Sequence, residues 1–100
     1  MRWRSTNPLL PNRGYAAHAH VNACGATGAA AGPHFQHHID PAATPQQPSS
    51  DPVYANPSNE IWLDLRTNSV GAGTSRTTVP FTFTDRSPGS VVIQVPESPA

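Results

Sequence analysis

The sequence predicts an all-β protein, and three observations support this class. Apolar and polar residues alternate in "EIWLDLRT", "TSRTTVPFTFT" and "VVIQV", which is the pattern of half-buried strands. The turn-forming segments "NSVGAG" and "DRSPGS" separate these three stretches. No stretch of the 100 residues shows the period of about 3.6 residues that marks an amphipathic helix.

Composition predicts one small domain with a thin core and long loops. Hydrophobic residues make up 36% of the chain, whereas roughly 45–50% is usual for globular domains. Six arginines balance six acidic residues and lysine is absent, so the sequence offers no basic patch. We therefore expect neither nucleic acid nor an anionic membrane surface among the partners.

The N-terminal segment, residues 1–13, is expected to be irregular because Pro8, Pro11 and Asn12 interrupt it. Its opening, "MRWRSTNPLL", is positively charged but lacks the apolar run of roughly 7–15 residues found in a signal peptide. No apolar run approaches the ~20 residues of a membrane span. The sequence alone predicts no export signal, and the localisation stays open.

The first strand is expected in "YAAHAHVN", residues 15–22, where small apolar residues alternate with polar ones. Residues 23–59 then show no sustained period. Their second half, "PAATPQQPSSDPVYANPSN", is rich in proline and serine and predicts one long loop.

Alternation also assigns faces in the three later strands. Each strand has one apolar face, formed by Ile61, Leu63 and Leu65, by Val79, Phe81 and Phe83, and by Val91, Ile93 and Val95. Pro80 has no N–H to donate, which favours an edge or a bulge. Because about four strands leave two edges unpaired, we expect a partner sheet or self-association through these edges.

All five histidines and the only cysteine lie between Gly14 and Asp40. His18 and His20 share one face of the predicted strand, where two imidazoles can bind one ion of copper, zinc, iron or nickel. The alternative is a pair of exposed histidines at a strand edge.

A third candidate ligand, His34, follows the turn predicted at Gly32 and Pro33. A fixed backbone before it is what a preorganised ligand requires. His37 and His38 are either further ligands or part of a solvated polar loop.

Taken together, these motifs resemble the copper/zinc superoxide dismutase family, and most closely its actinobacterial secreted members. The resemblance rests on "HAHVNAC", "AGPHF", a glycine turn between strands and "SVVIQ", in that order, and it covers about residues 12–95. It implies a Greek-key β-barrel or sandwich with one long metal-binding loop. Residues 14–95 would form part of this domain, followed by a tail at 96–100.

The resemblance implies a copper site at His18, His20 and His34. Family members convert superoxide to dioxygen and hydrogen peroxide, an antioxidant oxidoreductase reaction in which the residue matching His34 delivers a proton. The family's fourth copper ligand is a histidine in the last strand, where this sequence has Gln94. An amide oxygen is a poor replacement for imidazole on copper, so we expect weaker binding.

The sequence favours a copper-only site, or no second metal, over a zinc site of the family type. The family's zinc ligands are two histidines and an aspartate spread along the loop after the bridging histidine. The candidates here are His37, His38 and Asp40, which are closer to His34 than that pattern requires.

The resemblance also implies that parts of the family fold lie outside this chain. The strands before the H-x-H motif, a disulfide partner for Cys24 and the arginine that guides superoxide have no counterpart in the sequence. Two interpretations stay open: a copper-dependent superoxide dismutase, or a non-catalytic metal-binding remnant or inactive fragment of such an enzyme.

Overall fold

The protein is built from short strands and loops in a computed structural model that describes residues 2–4, 9–44 and 47–94. These residues contain six strands: β1 (Arg2–Arg4), β2 (Gly14–Tyr15), β3 (Ala17–His20), β4 (Leu65–Arg66), β5 (Thr74–Arg76) and β6 (Ser90–Ile93). Within these ranges the only helix is a 3₁₀ turn at Gly28–Ala31. No helix in the described part of the chain is long and apolar enough to cross a membrane. The predicted all-β class is confirmed.

The strands pair antiparallel in three two-stranded sheets, β1 with β5, β2 with β4 and β3 with β6. In the third sheet, Ala17 lies opposite Ile93 and His20 lies opposite Ser90. None of these sheets closes into a barrel over the residues described. The partners are far apart in sequence, so long-range pairing and not local hairpins sets the fold.

Strand β3 is central because its backbone is paired on both edges. One edge carries β6, and the other carries two segments that share it. At that second edge, the Ala19 N–H donates to the Ile61 carbonyl and the Leu63 N–H donates to the Ala17 carbonyl. Further along, the Phe35 N–H donates to the Ala19 carbonyl. Residues 33–35 and 61–63 therefore both lie beside the H-x-H strand.

The core lies on one face of this arrangement. Its buried cluster consists of Tyr15, Ala17, Ala19, Phe35, Ile61, Leu63 and Leu65, with Val91 and Ile93 packed against it. The predicted alternation is confirmed for Ile61, Leu63 and Leu65, which belong to the cluster, and for Val91 and Ile93, which pack against it. Phe83 remains 47% exposed, although its ring contacts that of the core residue Phe35 at 5.5 Å.

Two predicted element boundaries were wrong. Residues 1–13 were expected to be irregular, yet Arg2–Arg4 pairs with Thr74–Arg76, because antiparallel pairing needs only free backbone groups and the prolines come later. The strand expected over residues 74–84 ends at Arg76. Pro80 cannot donate to a ladder, although side chains remain alternately covered and exposed up to Phe81.

The long loop is confirmed in its described part, since residues 41–44 and 47–59 contain no strand and no helix. Turns give it local order, with the Asn59 N–H donating to the Asn56 carbonyl. The Asn59 side chain donates to the carbonyls of His38 and Tyr54 and so ties the loop to the histidine segment. Val95 and the expected tail at 96–100 lie outside the described residues.

Candidate metal centre

The face of the sheet opposite the core collects polar and aromatic side chains from three segments. His18 lies opposite Trp62, His20 opposite His34, and Gln36 opposite Glu60 in antiparallel bridges. Because residues paired across neighbouring strands share a face, these six side chains lie on one side. Alternation along β3 therefore places His18 and His20 on this face and Ala17 and Ala19 on the core face.

Of the predicted copper ligands, His34 contacts both His18 and His20. The ring of His34 stacks on that of His18, with centroids 4.1 Å apart and planes inclined by 18°. Its edge contact with His20 has a centroid distance of 4.8 Å. His20 is only 8% exposed, whereas the His34 side chain is 31% exposed. The cluster therefore has one buried member and one that solvent can reach.

A backbone carbonyl fixes the tautomer of His20. Its Nδ1 lies 2.7 Å from the Gly32 carbonyl oxygen, which can only accept, so Nδ1 carries the proton and Nε2 keeps a lone pair. Gly32 has φ of +71°, and an added Cβ would lie 2.8 Å from the Asn22 amide nitrogen. Only glycine places this carbonyl without strain.

A buried glutamate, Glu60, orients His34. It is 1% exposed, and its carboxylate accepts from His34 Nδ1 at 2.8 Å, Trp62 Nε1 at 2.9 Å and Gln36 Nε2 at 2.7 Å. Burial by itself would raise the pKa of Glu60, but the three hydrogen bonds outweigh it and hold the pKa below its ordinary value. An ionised carboxylate can only accept, so the hydrogen of this contact is on His34 Nδ1.

Sequence reasoning missed Glu60, Trp62 and Gln36 as parts of the site. The signal available in the sequence was alternation, because Glu60 and Trp62 lie on the polar face of the segment "EIWLDLRT". That segment's position beside β3 depends on long-range pairing, which the sequence pattern did not show.

Two buried ring nitrogens have no partner. His18 Nδ1 and His20 Nε2 are both enclosed and form no hydrogen bond within the described structure. Burial lowers the pKa of both histidines, and the neighbouring His34 lowers it further. A buried polar nitrogen without a partner is costly and uncommon, and a bound ion is one of the few explanations for it. Because the pKa of both rings is lowered, both are neutral above about pH 6.5, and His20 has an unused lone pair at Nε2.

The donor chemistry of this cluster fits copper, although the rings do not converge on one point. Among the residues described, no group of three or more His, Cys, Asp or Glu side chains is arranged to hold a metal ion. The near-parallel stacking of His18 and His34 accounts for this, because the in-plane lone pairs of stacked rings run side by side. Binding would require the His18 ring to turn, and no hydrogen bond at its Nδ1 opposes that rotation.

The other candidate ligands lie outside this cluster. Gln94 is exposed, and its backbone N–H donates to the Ala16 carbonyl. His37 stacks on Phe81 at 4.6 Å, and His38 is exposed beside it. The Asp40 carboxylate accepts from Ala42 N–H and Ser49 Oγ within its own loop.

Cys24 is an exposed free thiol in this structure.

Comparison with protein-family models gives no match. Comparisons with curated proteins and with solved structures find no significant match either.

Proposed function

We propose that this chain binds copper at His18, His20 and His34 and, by its resemblance to copper/zinc superoxide dismutases, disproportionates superoxide to dioxygen and hydrogen peroxide. The observation that carries the proposal is the pair of buried, partnerless nitrogens, His18 Nδ1 and His20 Nε2, in contact with a third imidazole. Neutral imidazole nitrogens are good ligands for copper.

The residues around the cluster would have distinct roles. A bound copper ion would supply the one-electron redox chemistry. Glu60 holds His34 through Nδ1 and leaves Nε2 as the atom that binds the ion or holds a proton. Since His34 is 31% exposed, a small anion and a proton from solvent can reach it. His20, anchored by the Gly32 carbonyl, would be the fixed ligand.

The proposed fold is a partial Greek-key barrel of the dismutase type. It is supported by the all-β architecture and by antiparallel pairing between strands far apart in sequence, as in β3 with β6. The H-x-H strand β3 pairs with β6 and with residues 33–35, which carry the other motifs of the resemblance.

A second candidate function is metal binding without turnover. Gln94 favours it, because the position that the resemblance assigns to the fourth ligand carries an exposed amide and no imidazole. The scattered positions of His37, His38 and Asp40 give no support to a zinc site, so a copper-only centre is the stronger form of either candidate.

Superoxide decay and copper affinity of the purified chain test these two functions. The native protein and Gln94→His are loaded with one equivalent of copper, and decay is followed by stopped flow against the same chain kept metal-free. Gln47→His, which adds a histidine to an exposed loop position, is the matched control.

Catalysis by the native chain supports the dismutase proposal. Tight copper binding without decay, with decay appearing in Gln94→His and not in Gln47→His, would support the non-catalytic remnant. A chain that fails to bind copper in all three forms would contradict both functions.

A further inference from the structure

A cavity of about 400 Å³ opens beside the histidine cluster. His20 and His34 form one wall, and apolar atoms dominate the remainder, with Val21, Pro33 and Ile39 among the lining side chains. Its size lies within the roughly 300–1,000 Å³ of small-molecule sites. Superoxide has two atoms, so the cavity is larger than that substrate requires.

The charge of the wall is one-sided. Among the described residues that line the cavity, Arg86 is the only one with a permanent charge, and none is an aspartate or a glutamate. The guanidinium is held in place, because Nη2 donates to the His37 carbonyl at 2.7 Å and the group lies 4.7 Å from the centroid of Phe35. Because this side chain is already held in place, it loses little further conformational entropy when it binds an anion.

We propose that this cavity binds a small organic monoanion with an apolar body, such as an aryl carboxylate. The ring would lie against Val21, Pro33 and Ile39, and the carboxylate would accept from the free N–H groups of Arg86. Ile39 is 63% exposed at the cavity, so a bound ring would cover an apolar side chain that is now in contact with water. The site needs no metal and does not rest on the proposed copper chemistry.

Calorimetric titration of the metal-free full chain with benzoate tests this binding. We expect saturable one-to-one binding, weaker by roughly tenfold or more for acetate, which lacks the apolar body, and for benzyl alcohol, which lacks the charge. Equal binding of acetate would overturn the inference, because the apolar wall would then contribute nothing. Absence of benzoate binding would overturn it as well.

Two pairs of variants locate the anion. Arg86→Gln should weaken benzoate binding by roughly tenfold or more, whereas Arg66→Gln, on the exposed face of β4, should leave it unchanged. Because Arg86 also holds the His37 loop, a second test avoids it. Ile39→Asp places a negative charge at the cavity and should weaken binding, and Ile39→Asn is its neutral counterpart of similar shape.

Equal affinity of Ile39→Asp and Ile39→Asn would show that the anion binds elsewhere and would contradict the inference. The outcome is separable from that of the proposed function, because copper affinity and superoxide decay are measured without benzoate. If the chain binds benzoate and not copper, this inference stands and the proposed function is contradicted. If it binds copper and not benzoate, the proposed function stands and this inference is contradicted.

Discussion

The two faces of the sheet around β3 are built from the same short segments but contain different chemistry. The core face carries small and aliphatic residues such as Ala17, Ala19 and Leu63, all completely covered. The opposite face carries the histidines and Glu60, joined by hydrogen bonds and ring contacts. The core face stabilises the fold by burying apolar surface, whereas the histidine face leaves two buried nitrogens unsatisfied.

With the proposed copper site, this difference implies a division of roles, because stability and copper binding would depend on residues one position apart. Substitutions on the two faces should therefore have separable effects, on the free energy of unfolding in one case and on copper affinity in the other. A bound ion would compensate the unsatisfied nitrogens and would stabilise the folded chain by an amount that grows with the logarithm of its affinity.

Leu63→Ala should have the largest effect on stability. Leu63 is fully buried, and truncating a buried leucine typically lowers the free energy of unfolding by about 2–5 kcal/mol. Urea denaturation of the metal-free chain measures this loss. His18→Ala, on the other face, is the comparison variant, and an equal loss in the two would contradict the division between the faces.

His20→Ala should have the largest effect on copper. The change removes the most buried ligand of the proposed site. We expect copper affinity to fall by on the order of 100-fold or more, which exceeds the loss usual when a residue that only hydrogen-bonds to a ligand is removed. A competition titration with a copper chelator measures it. His38→Ala is the control, since His38 is exposed and outside the cluster. Comparable losses in the two variants would place the copper elsewhere.

Glu60→Gln should weaken copper binding by about 10–100-fold, as expected for a residue that orients a ligand. Three donors converge on the carboxylate, and an amide offers a donor where Gln36 Nε2 needs an acceptor. The same titration, with the copper electron paramagnetic resonance spectrum as a second readout, tests this. If neither affinity nor spectrum changes, Glu60 has no part in orienting His34.

The smallest effect expected is a loss of stability in mild acid. Burial lowers the pKa of His18 and His20 below 6.5 in the folded chain, so the unfolded chain binds more protons as the pH falls below about 6.5. The free energy of unfolding is therefore unaffected by these two groups above that pH and decreases as the pH falls below it. Since Glu60 also has a lowered pKa, a further loss begins below about 4.5.

Melting temperatures of the metal-free chain between pH 7.5 and 5 measure this dependence. His18→Gln and His20→Gln should each flatten it, and the double variant should flatten it most. An unchanged slope in the double variant would contradict the assignment to these two rings.

Alternation in the sequence was enough to predict the all-β class and the faces of His18, Ile61 and Val91, because a period of two requires no knowledge of partners. The turn-forming residues Gly32 and Pro33 likewise predicted a turn before His34, and the positive φ of Gly32 explains the choice of glycine. These features depend on local geometry alone.

Features that depend on distant pairing could not be predicted in the same way. The contact between Glu60 and His34 requires residues 59–60 to lie beside residues 36–37, which is a matter of register. The strand at Arg2–Arg4 exists because Thr74–Arg76 offers it an edge. Neither pairing leaves a period in the sequence, since any extended segment can in principle supply the required backbone groups.

The pairing of β3 with β6 has a consequence for the time course of folding. His18 lies opposite Val92, and His20 opposite Ser90, across more than two thirds of the chain. Contacts of this separation are slow to form, because a long loop must close before they can stabilise the structure. During synthesis, the H-x-H strand therefore leaves the ribosome well before its partner on that edge exists. Copper that is available at that stage would meet single imidazoles on an unfolded chain and not the assembled cluster.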